Sequence, residues 1–119
     1  MVKRVSLVKL RSDMPLAEAQ RHWREQHSAQ VSQALGGSGL RRYVVNLVDP
    51  EQTAAARHPL TPQVADPYNL NCDGFAETWY DDFESMQRLI AANPAATRGD
   101  EDQFIERVRV LVVHEHEII

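Results

Sequence analysis

One cysteine stands in the whole 119-residue chain, so no disulfide can close within it and a cross-linked scaffold is excluded. Cys72 reads instead as a small filler in a protein of a reducing compartment. Long apolar runs are also lacking. No segment approaches the roughly 18 apolar residues that a membrane helix needs. The basic start Met1-Val2-Lys3-Arg4 leads into a stretch too short and too charged for a secretory signal, so the expected location is cytoplasmic and away from membranes. With a net charge of −4 there is no block of Lys and Arg. The Arg41-Arg42 pair does not make a patch, which argues against a nucleic-acid partner. The chain carries no Gly-rich phosphate loop, no dinucleotide fingerprint and no nucleophile elbow, so no organic cofactor is expected. His114 and His116 alternate along one stretch, but no cluster supplies the further ligands a metal needs, and none is expected.

What the chain does have is an ordinary globular composition, 43% hydrophobic and 25% charged. Its length suits one domain spanning residues 1–119 and is too short for two comfortable ones. Val2 to Leu10 is rich in β-formers and reads as a first strand. A helix follows, with Asp13 and Pro15 as start signals and Gly36-Gly37-Ser38-Gly39 as the stop. Leu40 to Val48 is a second strand and Asp73 to Tyr80 a third. Between them Asp49 to Leu70 loses periodicity and carries Pro50, Pro59, Pro62 and Pro67, so it reads as a long irregular connection. Asp81-Asp82 opens a helix with the apolar stripe Phe83, Met86 and Ile90, running to about Ala92. A further turn or two of helix is expected between about Ala95 and Phe104. Val108 to Val113 begins a last strand that continues into His114-Glu115-His116-Glu117.

The order β-α-β-β-α-β in one compact α+β domain is the ferredoxin-like arrangement, an antiparallel four-stranded sheet with both helices on one face. Helices on one side leave the other face in water, yet strands one, three and four carry apolar residues on both sides. No internal repeat supplies a cover, so a homodimer with sheets packed face to face is expected.

The first helix carries the feature of most chemical interest. At about 100° per residue, Leu16, Trp23, His27 and Ala34 fall within roughly 40° of one another, which puts an imidazole on the buried stripe. His27 is therefore either a core histidine satisfied by neighbouring polar groups or a pocket acid/base, since its ordinary pKa of about 6.5 suits proton transfer at neutral pH. His22 projects sideways among polar residues and reads as a solvated surface histidine. On the third strand Phe75, Glu77 and Trp79 share a side. Together with Trp23, the aromatics Phe75 and Trp79 are expected to wall a substrate pocket, in which Glu77 is either an orienting carboxylate or an edge residue. Asp73 and Gly74 read as shaping the entry to that strand.

Trp23-Arg24-Glu25-Gln26-His27, Gly39-Leu40-Arg41-Arg42-Tyr43-Val44-Val45-Asn46 and Asp73-Gly74-Phe75-Ala76-Glu77-Thr78-Trp79-Tyr80, in this order and spacing, resemble the EthD family of the dimeric α+β barrel superfamily. The resemblance implies a ferredoxin-like protomer that dimerises through its sheet, with a small-molecule pocket between helices and sheet. It implies no fixed reaction. The family includes proteins encoded beside cytochrome monooxygenases that degrade fuel ethers, and relatives that isomerise methylated muconolactones or assist polyketide dehydration and decarboxylation without a cofactor. In the isomerase-like relatives a histidine at the place of His27 works with a strand-two tyrosine and a histidine in the following loop, which Tyr43 and His58 match here. Tyr43 then donates to a carbonyl gaining negative charge, and His58 reaches over the pocket mouth. The strand-three cysteine of those isomerases is replaced by Thr78, with Cys72 lying earlier, which weakens a muconolactone isomerase reading. The expected function is a cofactor-independent isomerase or lyase acting on a small aromatic-derived or lactone-like substrate. The alternatives are a non-catalytic accessory protein of an oxygenase degradation system and a cofactor-free monooxygenase.

Overall fold

In the computed structural model, residues 1–37, 39–56, 72–92 and 98–119 are described. The chain runs β1 (Val2–Leu10), α1 (Leu16–His22), a π-helical turn (Trp23–His27), α2 (Ser28–Leu35), β2 (Leu40–Leu47), α3 (Pro50–Ala55), β3 (Gly74–Tyr80), α4 (Phe83–Ala92), α5 (Arg98–Glu101) and β4 (Ile105–Val113). The strands form one sheet in the order β2-β3-β1-β4, with antiparallel pairing throughout. This is the expected ferredoxin-like sheet.

The register sorts the side chains into two faces. Arg4 pairs with Thr78 and Val112, and Thr78 with Tyr43, so these four residues form one cross-strand row. The next row on that face is Ser6, Ala76, Val45 and Val110. This is the face that the helices cover. One core cluster joins Val8, Leu10, Ala19, Trp23 and Phe104, and a second joins Val2, Tyr80, Met86 and Leu89. The opposite face carries Lys3, Val5, Leu7, Val44, Phe75, Glu77 and Trp79.

Several local features differ from expectation for identifiable reasons. Asp13 does not cap α1; its carboxylate holds Arg11 instead, and α1 starts from Pro15 without a side-chain cap. The long first helix is not α-helical throughout. Ser28 donates its backbone N–H and its hydroxyl to the Trp23 carbonyl, the hydroxyl at 2.7 Å, which closes a wider turn. After that turn Val31 is buried, whereas Ala34, expected beside Trp23 and His27, is only half-buried. The connection after β2 is not wholly irregular, since Asp49 accepts the Gln52 N–H at 2.9 Å and Pro50 occupies the first turn, nucleating α3. β4 begins earlier than expected, at Ile105, and ends at Val113, so His114 to Glu117 is not strand.

Gly74 decides how closely helix and sheet approach. A methyl there would sit 2.6 Å from the Trp23 ring and 2.5 Å from the Asn46 carbonyl oxygen. The preceding Asp73 anchors this strand end, accepting the Leu10 N–H at 2.8 Å and pairing with Lys9 at 3.1 Å. Gly74→Ala is expected to destabilise the protein by about 1–3 kcal/mol, because backbone on one side and a fully buried indole on the other cannot both yield. Urea unfolding followed by circular dichroism checks this.

Candidate functional site

A cavity of about 450 Å³ lies between the sheet and the helices. Its floor is the Arg4, Thr78 and Tyr43 row together with Ser6 and Ala76, and its roof is Trp23, His27, Val31 and Leu35. The roof residues recur every four positions, through the π turn into α2, so one helical stripe supplies them all. Ile90 and Ala91 of α4 line it too, as do Glu101 of α5 and Val108 and Val110 of β4.

His27 lines this cavity and is only 5% exposed. Its Nδ1 lies 2.9 Å from Asp100 Oδ2, and Asp100 Oδ1 lies 2.9 Å from His22 Nε2. An ionised carboxylate only accepts, so His27 Nδ1 and His22 Nε2 are the donors. That choice leaves His27 Nε2 as the basic atom of the neutral ring, with Glu101 Oε1 3.9 Å away. The Phe104 ring packs tilted against both imidazoles, 4.8 Å from His22 and 5.1 Å from His27. His27 is thus held in ring orientation and tautomer by a buried anion and flanked by an apolar wall. His22 is not the solvated surface residue expected; α5 brings Asp100 to it, and its side chain is largely covered.

Tyr43 lines the same cavity from the sheet. Burial raises its phenol above the ordinary value of 10.0, against the opposing influence of hydrogen bonds from Ser28 and Trp23. The phenol therefore stays protonated and able to donate across the neutral range. His27, Tyr43 and Trp23 all line this one cavity. His58 lies outside the described residues.

Phe75, Glu77 and Trp79 do not wall the cavity. Their period-two partners Ala76, Thr78 and Tyr80 line it, and the expected trio lies on the helix-free face. There Glu77 forms an ion pair with Lys3 and accepts a 2.8 Å hydrogen bond from Asn46 Nδ2. Lys3 and Arg42 both stand over the Trp79 ring, at 4.8 and 4.6 Å from its centroid. Glu115, beyond β4, reaches back to Lys3 at 3.1 Å and accepts from the Trp79 indole at 3.4 Å. These residues clasp the C-terminal segment to the sheet.

Asp100, Glu101 and Arg4 were not singled out from sequence. Asp100 and Glu101 fall in a segment expected as only a further turn or two of helix, too short for a periodicity that orients them, and Arg4 sits in an alternating strand where a cation reads as solvent-facing. The one available signal for Arg4 was its parity with Val2 and Val8.

The EthD domain family matches residues 11–107. Among solved structures, an ethyl tert-butyl ether d (EthD) family protein from Bacillus halodurans C-125 superposes with a TM-score of 0.65 at 19% identity, covering 98% of this chain and 99% of the other. An Arabidopsis thaliana protein superposes with a TM-score of 0.63 at 11% identity, covering 100% and 99%. A dimeric protein of unknown function with a ferredoxin-like fold, from Bacteroides fragilis NCTC 9343, gives 0.57 at 16% identity, covering 96% and 95%. At these identities the likeness is one of fold. No curated protein matches the chain significantly.

The helix-free cluster has a consequence for acid stability. Burial alone would raise the Glu77 carboxyl, but hydrogen bonds from Lys3 and Asn46 and the charges of Lys3 and Arg42 hold it below its ordinary 4.5. A depressed carboxylate stabilises the fold above its unfolded pKa, and that contribution is lost as pH falls through the folded value. Glu77→Gln is therefore expected to lower the urea midpoint at neutral pH. Wild type and variant should converge only once the pH has dropped below the depressed value, which a pH series of unfolding curves checks.

Proposed function

The chain belongs to the EthD family, and we propose that it is a cofactor-independent enzyme that moves a proton on a small carbonyl compound, aromatic-derived or lactone-like. The observation that carries this reading is the His27–Asp100 pair at a mainly apolar cavity with the Tyr43 phenol on the facing sheet.

In this mechanism His27 Nε2 removes a proton from the carbon beside the substrate carbonyl. The imidazolium that forms is stabilised through its Nδ1–H by the Asp100 carboxylate, 2.9 Å away, which positions the ring and does not itself touch substrate. As electron density moves to the carbonyl oxygen, the Tyr43 hydroxyl donates to the enolate. Return of the proton to a different carbon completes an isomerisation. Its transfer to a departing hydroxyl releases water and completes a dehydration. The cavity volume of about 450 Å³ suits a substrate of one or two rings.

The protein is further proposed to act as a homodimer. On the edge strand β4, Leu111 of the helix-free face is 37% exposed, and Val108, Val110 and Val112, on the side toward the helices, stay 42–43% exposed because the helices leave this edge of the sheet partly open. The dimeric description of the Bacteroides fragilis neighbour supports the same reading. Sedimentation at micromolar concentration is expected to give the dimer mass, and a stable monomer would contradict it. No helix of the described residues is long and apolar enough to cross a membrane.

Proton transfer is tested by following incorporation of solvent deuterium next to the carbonyl of a panel of lactones and aryl ketones by NMR. His27→Gln is expected to reduce the exchange rate by about 10²–10⁴-fold, the usual range for a positioned general base. Tyr43→Phe is expected to cost about 10²-fold or more. Asp100→Asn, which keeps the shape but loses the anion, should lower the rate while leaving ligand affinity close to wild type. Undiminished exchange in His27→Gln would overturn the general-base assignment. Binding without exchange in both forms would favour the accessory role.

A further inference from the structure

Arg4 is the cavity's unexplained residue. It stands on the helix-covered face of the central strand β1, in one row with Thr78 and Tyr43, and it lines the same cavity as His27. A guanidinium that lines a largely apolar, half-enclosed space normally has a carboxylate beside it, because burial of an unpaired charge is costly. The two largely covered lysines follow this rule: Lys3 has Glu77 and Glu115, and Lys9 has Asp73. Among the described residues none is within ion-pairing distance of Arg4. The carboxylate that shares the cavity, Glu101, stands 3.9 Å from the far nitrogen of His27. The cavity is thus electrically divided, with an anion at the His27 end of the roof and a cation on the floor.

We infer that Arg4 is a specificity-determining residue that receives the carboxylate of an acidic small-molecule substrate. This rests on the proposed proton-transfer site and names the substrate class it takes. The two oxygens of a carboxylate match the guanidinium fork in a bidentate pair. Held there, the ligand's carbon skeleton extends along the apolar floor past Ala76 and beneath Trp23. Its carbonyl then lies toward Tyr43 and its acidic carbon toward His27. The negative charge at Glu101 disfavours the reverse orientation, so the charge division also sets direction. A neutral ligand of the same shape would leave Arg4 unpaired and would bind more weakly.

The test compares phenylacetate with its near-isosteric neutral amide, phenylacetamide, by isothermal titration at low and at physiological salt. Wild-type protein is expected to prefer the acid by at least about tenfold, the scale of a charge-assisted hydrogen-bonded pair in a partly enclosed site. Arg4→Met should reduce that preference to less than about twofold while leaving amide binding close to unchanged. Arg4→Lys should retain part of the preference, which guards against a merely misfolded variant, and thermal unfolding of all forms gives the control. The His27→Gln variant should keep the acid preference even where turnover is lost, so failure of the proton-transfer reading and failure of this one are separable. Equal affinity of wild type for the two probes, an acid preference that survives in Arg4→Met, or no binding of either probe would each overturn the assignment.

Discussion

The contact between the Trp23 indole and the backbone at Gly74 sets the distance between helices and sheet, and the rest of the structure follows from that distance. The indole is essentially fully buried, and a glycine is needed beneath it because any Cβ would collide with both the ring and the Asn46 carbonyl. The first helix is held close to the sheet there. Further along, where α2 passes over Tyr43 and Thr78 rather than glycine, the two layers stand apart and the cavity opens. Core and cavity are therefore two ends of one helix–sheet interface, distinguished by the size of what lies beneath the helix.

The π turn from Trp23 to His27 belongs to the same arrangement. It holds the anchoring indole and the imidazole within one wide turn, so the group that fixes the helix and the group suited to chemistry cannot move independently. Asp100 completes the constraint from the other side of the chain, gripping His22 and His27 with separate oxygens. A carboxylate buried between two imidazoles interacts strongly, because little water screens it. The result is an imidazole whose orientation and tautomer are settled before any ligand arrives, which is the condition for efficient proton transfer.

The two faces of the sheet carry different polar chemistry. On the helix-free face, Lys3, Arg42, Glu77 and Glu115 are paired with one another and with Trp79, and they fasten the C-terminal segment. Charges satisfied in this way have little left for a ligand. On the helix-covered face, Arg4, Tyr43 and His27 converge on open space. Adjacent residues in one strand, Glu77 and Thr78, thus serve different purposes because the β-pleat sends them to opposite sides.

Much of the fold was legible in the sequence, since hydrophobic periodicity reflects which face of each element is buried. The strand bounds of β1, the ferredoxin-like order and the inward position of His27 all follow from local spacing. Face assignment on β3 was not legible in the same way. Phe75 and Trp79 are large and apolar, and strand alternation alone says only that they share a side with Glu77; which side the helices cover is decided by the register with β1 and by the seat of Trp23 on Gly74. Asp100 was equally hidden, because its role is a contact with residues more than seventy positions away. The sequence by itself determined the four strands, the two main helices, their order and the buried histidine, since these depend on each residue's own neighbours. The tertiary structure alone decided which charges are paired with one another and which face the cavity, because pairing depends on distances that only the packed chain defines.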